Sequence, residues 1–285
     1  MESQPKHQTP TGQLFVVATP IGNLGDITYR AVETLKNVDL IAAEDTRTSR
    51  KLLQHCGIST PMIAVHEHNE EYAAGKLLQR LQQGESIALI SDAGTPLISD
   101  PGYRLVRKLR SEGIRITPIP GASSVLTALC AAGLPTDHFR FEGFLPRSGA
   151  SRSTAMQRVA ESSETNVILE SPRRLLSSLK NLQPLLEEVR ELVVARELTK
   201  LHEEFISGTV AELIAHFSEH APRGEIVLIV APCLPKVRGE IHDEDIHALL
   251  ETAVMQALPP SARAKSVAKE LGVSKSRVYD LITGQ

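Results

Sequence analysis

The chain has 285 residues, enough for two domains with their own cores, and its 41% apolar and 23% charged content is that of a soluble globular protein. A net charge of −3 gives no general pull toward polyanions, so any nucleic-acid site must be a local basic patch. Aromatic residues make up 4% and tryptophan is absent, which argues against an aromatic stacking platform for RNA bases.

Residues 1–12 are polar, lack the apolar core of a signal peptide and read as a tail. Strand and helix signals then alternate. Apolar runs predict strands over 14–18, 40–43, 62–66, 87–91 and 114–119, and helical periodicity predicts helices over 28–36, 48–55, 71–81, 103–112 and 124–132. That order predicts a first α/β domain, 13–134, with a mostly parallel sheet and helices on its faces. Gly133-Leu-Pro135 marks its end.

A second α/β domain, 135–232, opens with a strand over 138–144 and the polar loop Pro146-Arg-Ser-Gly-Ala-Ser151. Helices are predicted over 152–161, 173–187 and 210–218, and strands over 166–170, 192–197, 203–207 and 225–231. Some of these strands leave no room for a crossover helix, so the sheet is expected to be mixed or partly antiparallel. Pro232-Cys-Leu-Pro-Lys236 reads as a linker, and 233–285 as that linker plus a small all-helical extension. Within it, 261–279 has the pattern of a helix-turn-helix, with Leu271-Gly272-Val273 as the turn and Ser274 as the cap of the second helix. Lys265, Lys269, Lys275 and Arg277 outweigh Glu270 and Asp280 there, which suits either nucleic-acid contact or the solvated face of a small bundle.

Cys56, Cys130 and Cys233 are widely separated and form neither a C-x-x-C knuckle nor a disulfide framework, as expected in a reducing cytoplasm. The apolar run at 226–230 is too short to span a bilayer, and no membrane role is expected.

Three strand-end loops carry the chemistry. Ile90-Ser-Asp-Ala-Gly-Thr-Pro-Leu-Ile-Ser-Asp-Pro-Gly102 combines conformationally free glycines, stiff prolines, two serines and two aspartates. Val16-Val-Ala-Thr-Pro-Ile-Gly-Asn-Leu-Gly-Asp26 and Ile116-Thr-Pro-Ile-Pro-Gly-Ala-Ser-Ser124 leave two other strands. Open α/β sheets bind ligands at such carboxyl ends, and unpaired N–H groups near Ser123 and Ser124 suit an anionic group such as a carboxylate. None of the loops is a phosphate or dinucleotide fingerprint. Ala42-Ala-Glu-Asp-Thr-Arg47 places Asp45 at another strand end, as a proton acceptor beside Arg47 or simply as a helix N-cap. His66-Glu67-His68 has no third metal ligand in view and reads as a surface turn, with one histidine able to reach a cleft. Arg140, Arg147, Arg152 and Arg158 surround the Ser/Gly loop, and Arg173-Arg174 follow Glu170-Ser-Pro172; these suit phosphate contacts.

Taken together, Ala18-Thr-Pro-Ile-Gly-Asn-Leu-Gly-Asp26, Ala43-Glu-Asp-Thr-Arg47, the 91–102 loop and Pro118-Ile-Pro-Gly-Ala-Ser-Ser124 resemble the tetrapyrrole methylase superfamily over about residues 12–232. Within it they are most similar to the branch that methylates a cytidine ribose of 16S ribosomal RNA. The superfamily's usual Gly-x-Gly-Pro-Gly-Asp first loop is replaced by Thr19-Pro-Ile-Gly-Asn-Leu-Gly-Asp26, which fits a changed acceptor better than a changed cofactor. The resemblance implies two α/β domains with a cofactor cleft between them, a helical extension, a cytoplasmic homodimer and no metal. It implies S-adenosylmethionine bound against Pro20, Ser91, Asp92, Ala93, Gly94, Ile98 and Ser99, with Ala122, Ser123 and Ser124 nearby, and Phe144, Leu169, Glu197 and Glu225 closing from the second domain. Asp45 is implied as the base with Arg47 as its partner, and His66 or His68 as the next acceptor. The implied partner is 16S ribosomal RNA of the small subunit, met by Arg147, Arg152, Arg173, Arg174, Lys275 and Arg277. Two other readings remain: a methylase of tetrapyrrole precursors, and a ligand-sensing DNA-binding regulator that reads bases with 275–281.

Overall fold

Side-chain alternation builds the first sheet. In β1 (Gln13–Val17), β2 (Leu40–Ala43) and β4 (Ile87–Ile90), successive residues point to opposite faces, and both faces are apolar. Leu14, Leu40, Ala42, Ile87 and Leu89 pack with Leu77 and Leu81 of α3 (Glu70–Gln82) and with Leu105 and Leu109 of α4 (Tyr103–Ser111). On the other face Val17, Ile41, Ala43, Ala88 and Ile90 meet α1 (Tyr29–Asn37) and α2 (Thr46–His55). β3 (Met62–Ala64) and β5 (Arg115–Ile119) complete an all-parallel sheet in the order β3-β2-β4-β1-β5. The chain leaves β1 toward the β3 edge and leaves β4 toward β5, so the winding reverses between β1 and β4. Such a reversal opens a crevice at the carboxyl ends of the two strands.

These statements come from a computed structural model that describes residues 12–66, 69–233, 242–256 and 258–283. Nearly all of the expected N-terminal tail, His68, and residues 234–236 of the expected linker lie outside the described residues. Two boundaries differ from expectation for local reasons. The strand expected over 62–66 ends at Ala64, because the Asn69 side chain accepts the His66 N–H (2.9 Å) and donates to the Ala64 carbonyl (3.0 Å), turning the chain. The helix expected over 173–187 ends at Leu182, where Pro184 removes a donor and clashes with the preceding turn.

The second sheet is mixed, as its short connections require. β6 (Phe139–Phe144), β7 (Thr165–Glu170), β8 (Glu191–Arg196), β9 (Glu204–Thr209) and β10 (Ile226–Val230) lie in the order β6-β7-β10-β8-β9. β6 and β7 are parallel and the other neighbours antiparallel. One face is covered by α6 (Gly149–Ala160), α7 (Pro172–Leu182) and α8 (Val210–Glu219). The other is covered by α5 (Ser124–Ala132), which arrives from β5 of the first sheet. Val125, Ala128, Leu129 and Ala132 of α5, joined by Ile21 from the loop after β1, pack with Val167, Val193, Ala195, Val227 and Ile229. Ile21 and α5 thus join the strand-end loops of the first sheet to an apolar face of the second.

Residues from 234 onward form a separate unit. In it α9 (Asp243–Leu250), α10 (Ala253–Gln256), α11 (Pro260–Leu271) and α12 (Lys275–Thr283) surround Ile246, Leu250, Ala264, Val267 and Val278. Gly272 ends α11 with φ +69°, and the Ser274 hydroxyl accepts the Arg277 N–H at 3.2 Å, the turn and cap expected of a helix-turn-helix. No helix among the described residues is long and apolar enough to cross a membrane.

Candidate active site at the strand ends

The loops after β1, β4 and β5 are stitched to one another by main-chain contacts. Thr19 and Gly94 exchange hydrogen bonds, N–H to carbonyl, at 2.9 and 3.0 Å. The Thr19 hydroxyl donates to the Ser91 carbonyl (3.2 Å), and the Thr95 hydroxyl donates to the Ala122 carbonyl (3.1 Å). Gly94 has φ +79°, and a Cβ there would lie 3.2 Å from Ile21 Cγ2. The bridge thus needs a residue that tolerates the left-handed region without a side chain. Among the described residues, the non-glycine residues with positive φ are Leu97, Ser99, Glu197 and Thr199, all in loops beside the same crevice. Backbone strain of this kind costs on the order of 1–3 kcal/mol per residue and persists only where packing over-determines it.

Between these loops and the second sheet lies a cavity of about 360 Å³. Ile21, Ala93, Ile98, Ser99, Asp100 and Ser124 line it from the first half, and Phe144, Leu169, Ser171, Pro172, Leu198 and Glu225 from the second. A smaller recess beside it is bordered by Gly94, Ser123 and Ser124. Nine residues expected at a ligand site are therefore brought together: Ala93, Gly94, Ile98, Ser99, Ser123, Ser124, Phe144, Leu169 and Glu225. Five are not on its walls. Ser91 is buried with its hydroxyl on the Ala93 carbonyl, the Ala122 carbonyl is taken by Thr95, and Asp92 accepts the Asp45 N–H (3.1 Å). Pro20 is buried and does not line the cavity. Glu197 is turned into structure: its Oε1 accepts Lys200 Nζ (2.9 Å) and the Glu225 N–H (3.0 Å), in the space that a Cβ on Gly224 would occupy.

Carboxylates at the mouth of the crevice are pushed in opposite directions. Asp45 caps α2, and Arg47 holds it through its backbone N–H (2.8 Å) and through Nε and Nη2 (3.1 and 2.7 Å). That guanidinium lowers the Asp45 carboxyl to about 2. Both readings of Asp45 thus hold geometrically, but a carboxylate so low is a weak proton acceptor. Glu44, Asp92 and Asp100 move the other way. Burial raises all three; the Asp92 charge raises Asp100 further, and Asp100 and Asp92 do the same to Glu44. Asp100 is the one of these on the cavity wall. It stood in the 91–102 loop without an assigned role, since composition alone does not say which loop residues line the cavity. Ser171 and Pro172 were also missed, although proline opening a helix at a strand end was a signal.

The remaining expected residues are dispersed. His66 follows the edge strand β3 and is not on the cavity wall. Arg147 and Arg173 are exposed. Arg152 is buried, donating to the Pro146 carbonyl and the Ser178 hydroxyl (both 2.9 Å), which corrects its reading as a free phosphate contact. Arg174 donates to the Leu145 carbonyl (2.7 Å) and pairs with Glu170 (3.3 Å). In the helical unit Arg277 pairs with Asp243 (2.7 Å), and Lys275 donates to Ser261 (3.2 Å).

The raised Asp100 carboxyl carries a stability consequence. The folded chain binds that proton more tightly than the unfolded one, so stability falls as pH rises from the ordinary aspartate value of 3.8 through the raised one. Asp100→Asn should therefore be more stable than wild type at about pH 7, with the gain shrinking toward about pH 4. Urea unfolding across that range checks it; no gain, or a pH-independent gain, contradicts the placement.

Comparison with known proteins agrees with this geometry. The family model described as Tetrapyrrole (Corrin/Porphyrin) Methylases matches residues 13–214. A ribosomal RNA small subunit methyltransferase I from Synechocystis sp. is 47% identical over 270 residues, covering 95% of this chain and 97% of that protein. One from Escherichia coli O157:H7 is 48% identical over 271 residues, covering 94% and 93%. Among solved structures, a uroporphyrin-III C-methyl transferase from Thermus thermophilus, complexed with S-adenosylhomocysteine, superposes with a TM-score of 0.56 at 18% identity, covering 77% of this chain and 97% of that one. Residues 13–214 include both sheets apart from the last strand, and the near-full-length relatives extend the match through the helical unit. The chain belongs to the tetrapyrrole (corrin/porphyrin) methylase family.

Proposed function

We propose that the chain methylates 16S ribosomal RNA of the small ribosomal subunit, using S-adenosylmethionine, at the 2′-hydroxyl of a cytidine ribose. The observation that carries this reading is the 47% and 48% identity, over more than nine-tenths of both chains, to proteins named ribosomal RNA small subunit methyltransferase I. The altered first loop, Thr19 to Asp26, favours this acceptor over a tetrapyrrole. A ribosomal substrate places the enzyme in the cytoplasm.

The cavity suits the cofactor on its own chemistry. Gly94 borders the smaller recess, and Asp100 and Glu225 put negative charge on a cavity wall that a sulfonium cation would meet. Ser123 makes no side-chain cap, so N–H groups at the start of α5 are available to a carboxylate. When bound, the cofactor supplies an electrophilic methyl group and needs no metal. Ile98 and Phe144 remain 48% and 57% exposed at the cavity, and closing the two α/β domains on the ligand would use them to exclude water. Positioning of this kind can be worth on the order of 7–11 kcal/mol.

Removal of the ribose hydroxyl proton falls to Asp100, the cavity-lining carboxylate whose burial favours the protonated form. Asp45 and Arg47 serve as positioning residues, since the Asp45 N–H holds Asp92 and both of its oxygens are taken by Arg47. Lys275 and Arg277 of the helical unit are assigned to RNA contact. Exposed Tyr29, Leu126 and Leu201 supply apolar surface for a homodimer.

Mass-spectrometric mapping of 16S ribosomal RNA from a strain lacking the chain should reveal one missing 2′-O-methyl group, restored by the wild-type sequence. An unchanged methylation map rejects the reading. Asp100→Asn should lower turnover by about 10²–10⁴-fold with adenosylhomocysteine affinity retained, and Asp45→Asn by much less. The reverse order would return the acceptor role to Asp45. In sedimentation at micromolar concentration the chain should run at twice its 31.0 kDa mass, and a fully active monomer would contradict the dimer.

A further inference from the structure

A second concavity, of about 650 Å³, is lined by residues of α6, α7 and the loop before α6. Its polar walls are Arg147, Ser148, Ser153, Gln157, Arg174 and Asn181, and no acidic side chain lines it. Arg152 forms part of its floor. The single carboxylate in contact with this group is Glu170, which pairs with Arg174 and is itself buried under the Ser178 hydroxyl. Three guanidinium groups against one carboxylate leave an excess of two positive charges.

The groove is built rather than incidental. Arg152 and Arg174 donate to the Pro146 and Leu145 carbonyls, so the two buried or half-buried cations fix the backbone of the loop that carries Arg147. Burial, and then the neighbouring Arg174 charge, disfavour the Arg152 cation. A bound anion would relieve both costs. The same loop ends at Ser148, the uncapped N-terminus of α6, whose first N–H groups add to the positive field. The neighbouring concavity around Arg140 and Arg158 lacks this excess, because those arginines are paired with Glu164 and Glu142.

Placement gives the groove its meaning. Ser171 and Pro172 line the cavity, while Arg174 and Ser177, on the same α7, line the groove. From Pro172 to Ser177 the helix rises only about 8 Å. We propose that this groove is a phosphodiester-binding subsite, in which Arg147, Arg174, Ser148 and Ser153 grip the backbone of the RNA strand and thereby set a neighbouring nucleotide at the cavity. The inference rests on RNA being the substrate. It differs from scattered arginine contacts in making Arg147 and Arg174 the cations that grip and Arg152 a positioning residue.

Fluorescence anisotropy with an end-labelled single-stranded RNA of 16S sequence tests it. Arg147→Glu and Ser153→Asp each add negative character to the groove at exposed positions, and Ser153 lies in the second turn of α6, where an exposed aspartate costs the helix little. Both should weaken RNA binding at least tenfold near 0.1 M salt. Each lost phosphate contact should flatten the plot of log affinity against log salt by about 0.7–1. Adenosylhomocysteine affinity by calorimetry should stay at the wild-type value, and Arg147→Lys should recover most of the RNA binding. If both charge variants bind RNA with wild-type affinity and slope, the groove is not the subsite while RNA remains the substrate. If the wild-type chain binds no RNA yet binds adenosylhomocysteine, the subsite falls together with the reading it rests on.

Discussion

The reciprocal hydrogen bonds between Thr19 and Gly94 are the constraint on which the rest of the site depends. They join the loops after β1 and β4, the two strands between which the winding of the first sheet reverses. Once joined, these loops carry Ile21 onto the open face of the second sheet, where it packs with α5. Ile21 thereby adds to the cover that α5 gives Val167, Val193, Val227 and Ile229. The bridge in turn requires a glycine at 94, because its positive φ and its closeness to Ile21 leave no room for a side chain.

The same crevice stores unfavourable terms that the shared core holds in place. Leu97, Ser99, Glu197 and Thr199 adopt left-handed backbone conformations around it, and burial works against the charge on Asp92 and Asp100. A binding site commonly carries such costs, since groups arranged for a ligand are seldom arranged for stability. Asp45 shows the opposite arrangement: its ion pair with Arg47 and its cap of α2 settle the loop, and the guanidinium favours its charged form.

Much of this was legible in the residues. Alternating strand and helix signals gave the first sheet within a residue or two at most boundaries, and missing crossover lengths gave the mixed second sheet. The 91–102 loop announced a pocket by its composition, and the cavity is lined by four of its residues. What stayed hidden depends on partners distant in sequence. α5 reads as an apolar helix, but nothing local says that it covers the second sheet rather than its own. Arg152 reads as an exposed cation beside a Ser/Gly loop, and only the Pro146 carbonyl and Ser178 reveal it as buried. Glu197 reads as a cavity carboxylate until Lys200 and the Glu225 N–H claim it. Asp100 reads as turn chemistry, and only the folded loop brings it to the cavity wall.

The three stitched loops are proposed to hold the methyl donor. Calorimetric titration with adenosylhomocysteine, of wild type and of Gly94→Leu, tests it most directly, with cooperative unfolding of the variant checked beforehand. Leucine at 94 would push into Ile21 and the space beside the Ala122 carbonyl. The account predicts one site per chain in the wild type and a steep loss of affinity in the folded variant. A folded Gly94→Leu that binds adenosylhomocysteine as tightly as wild type would contradict it.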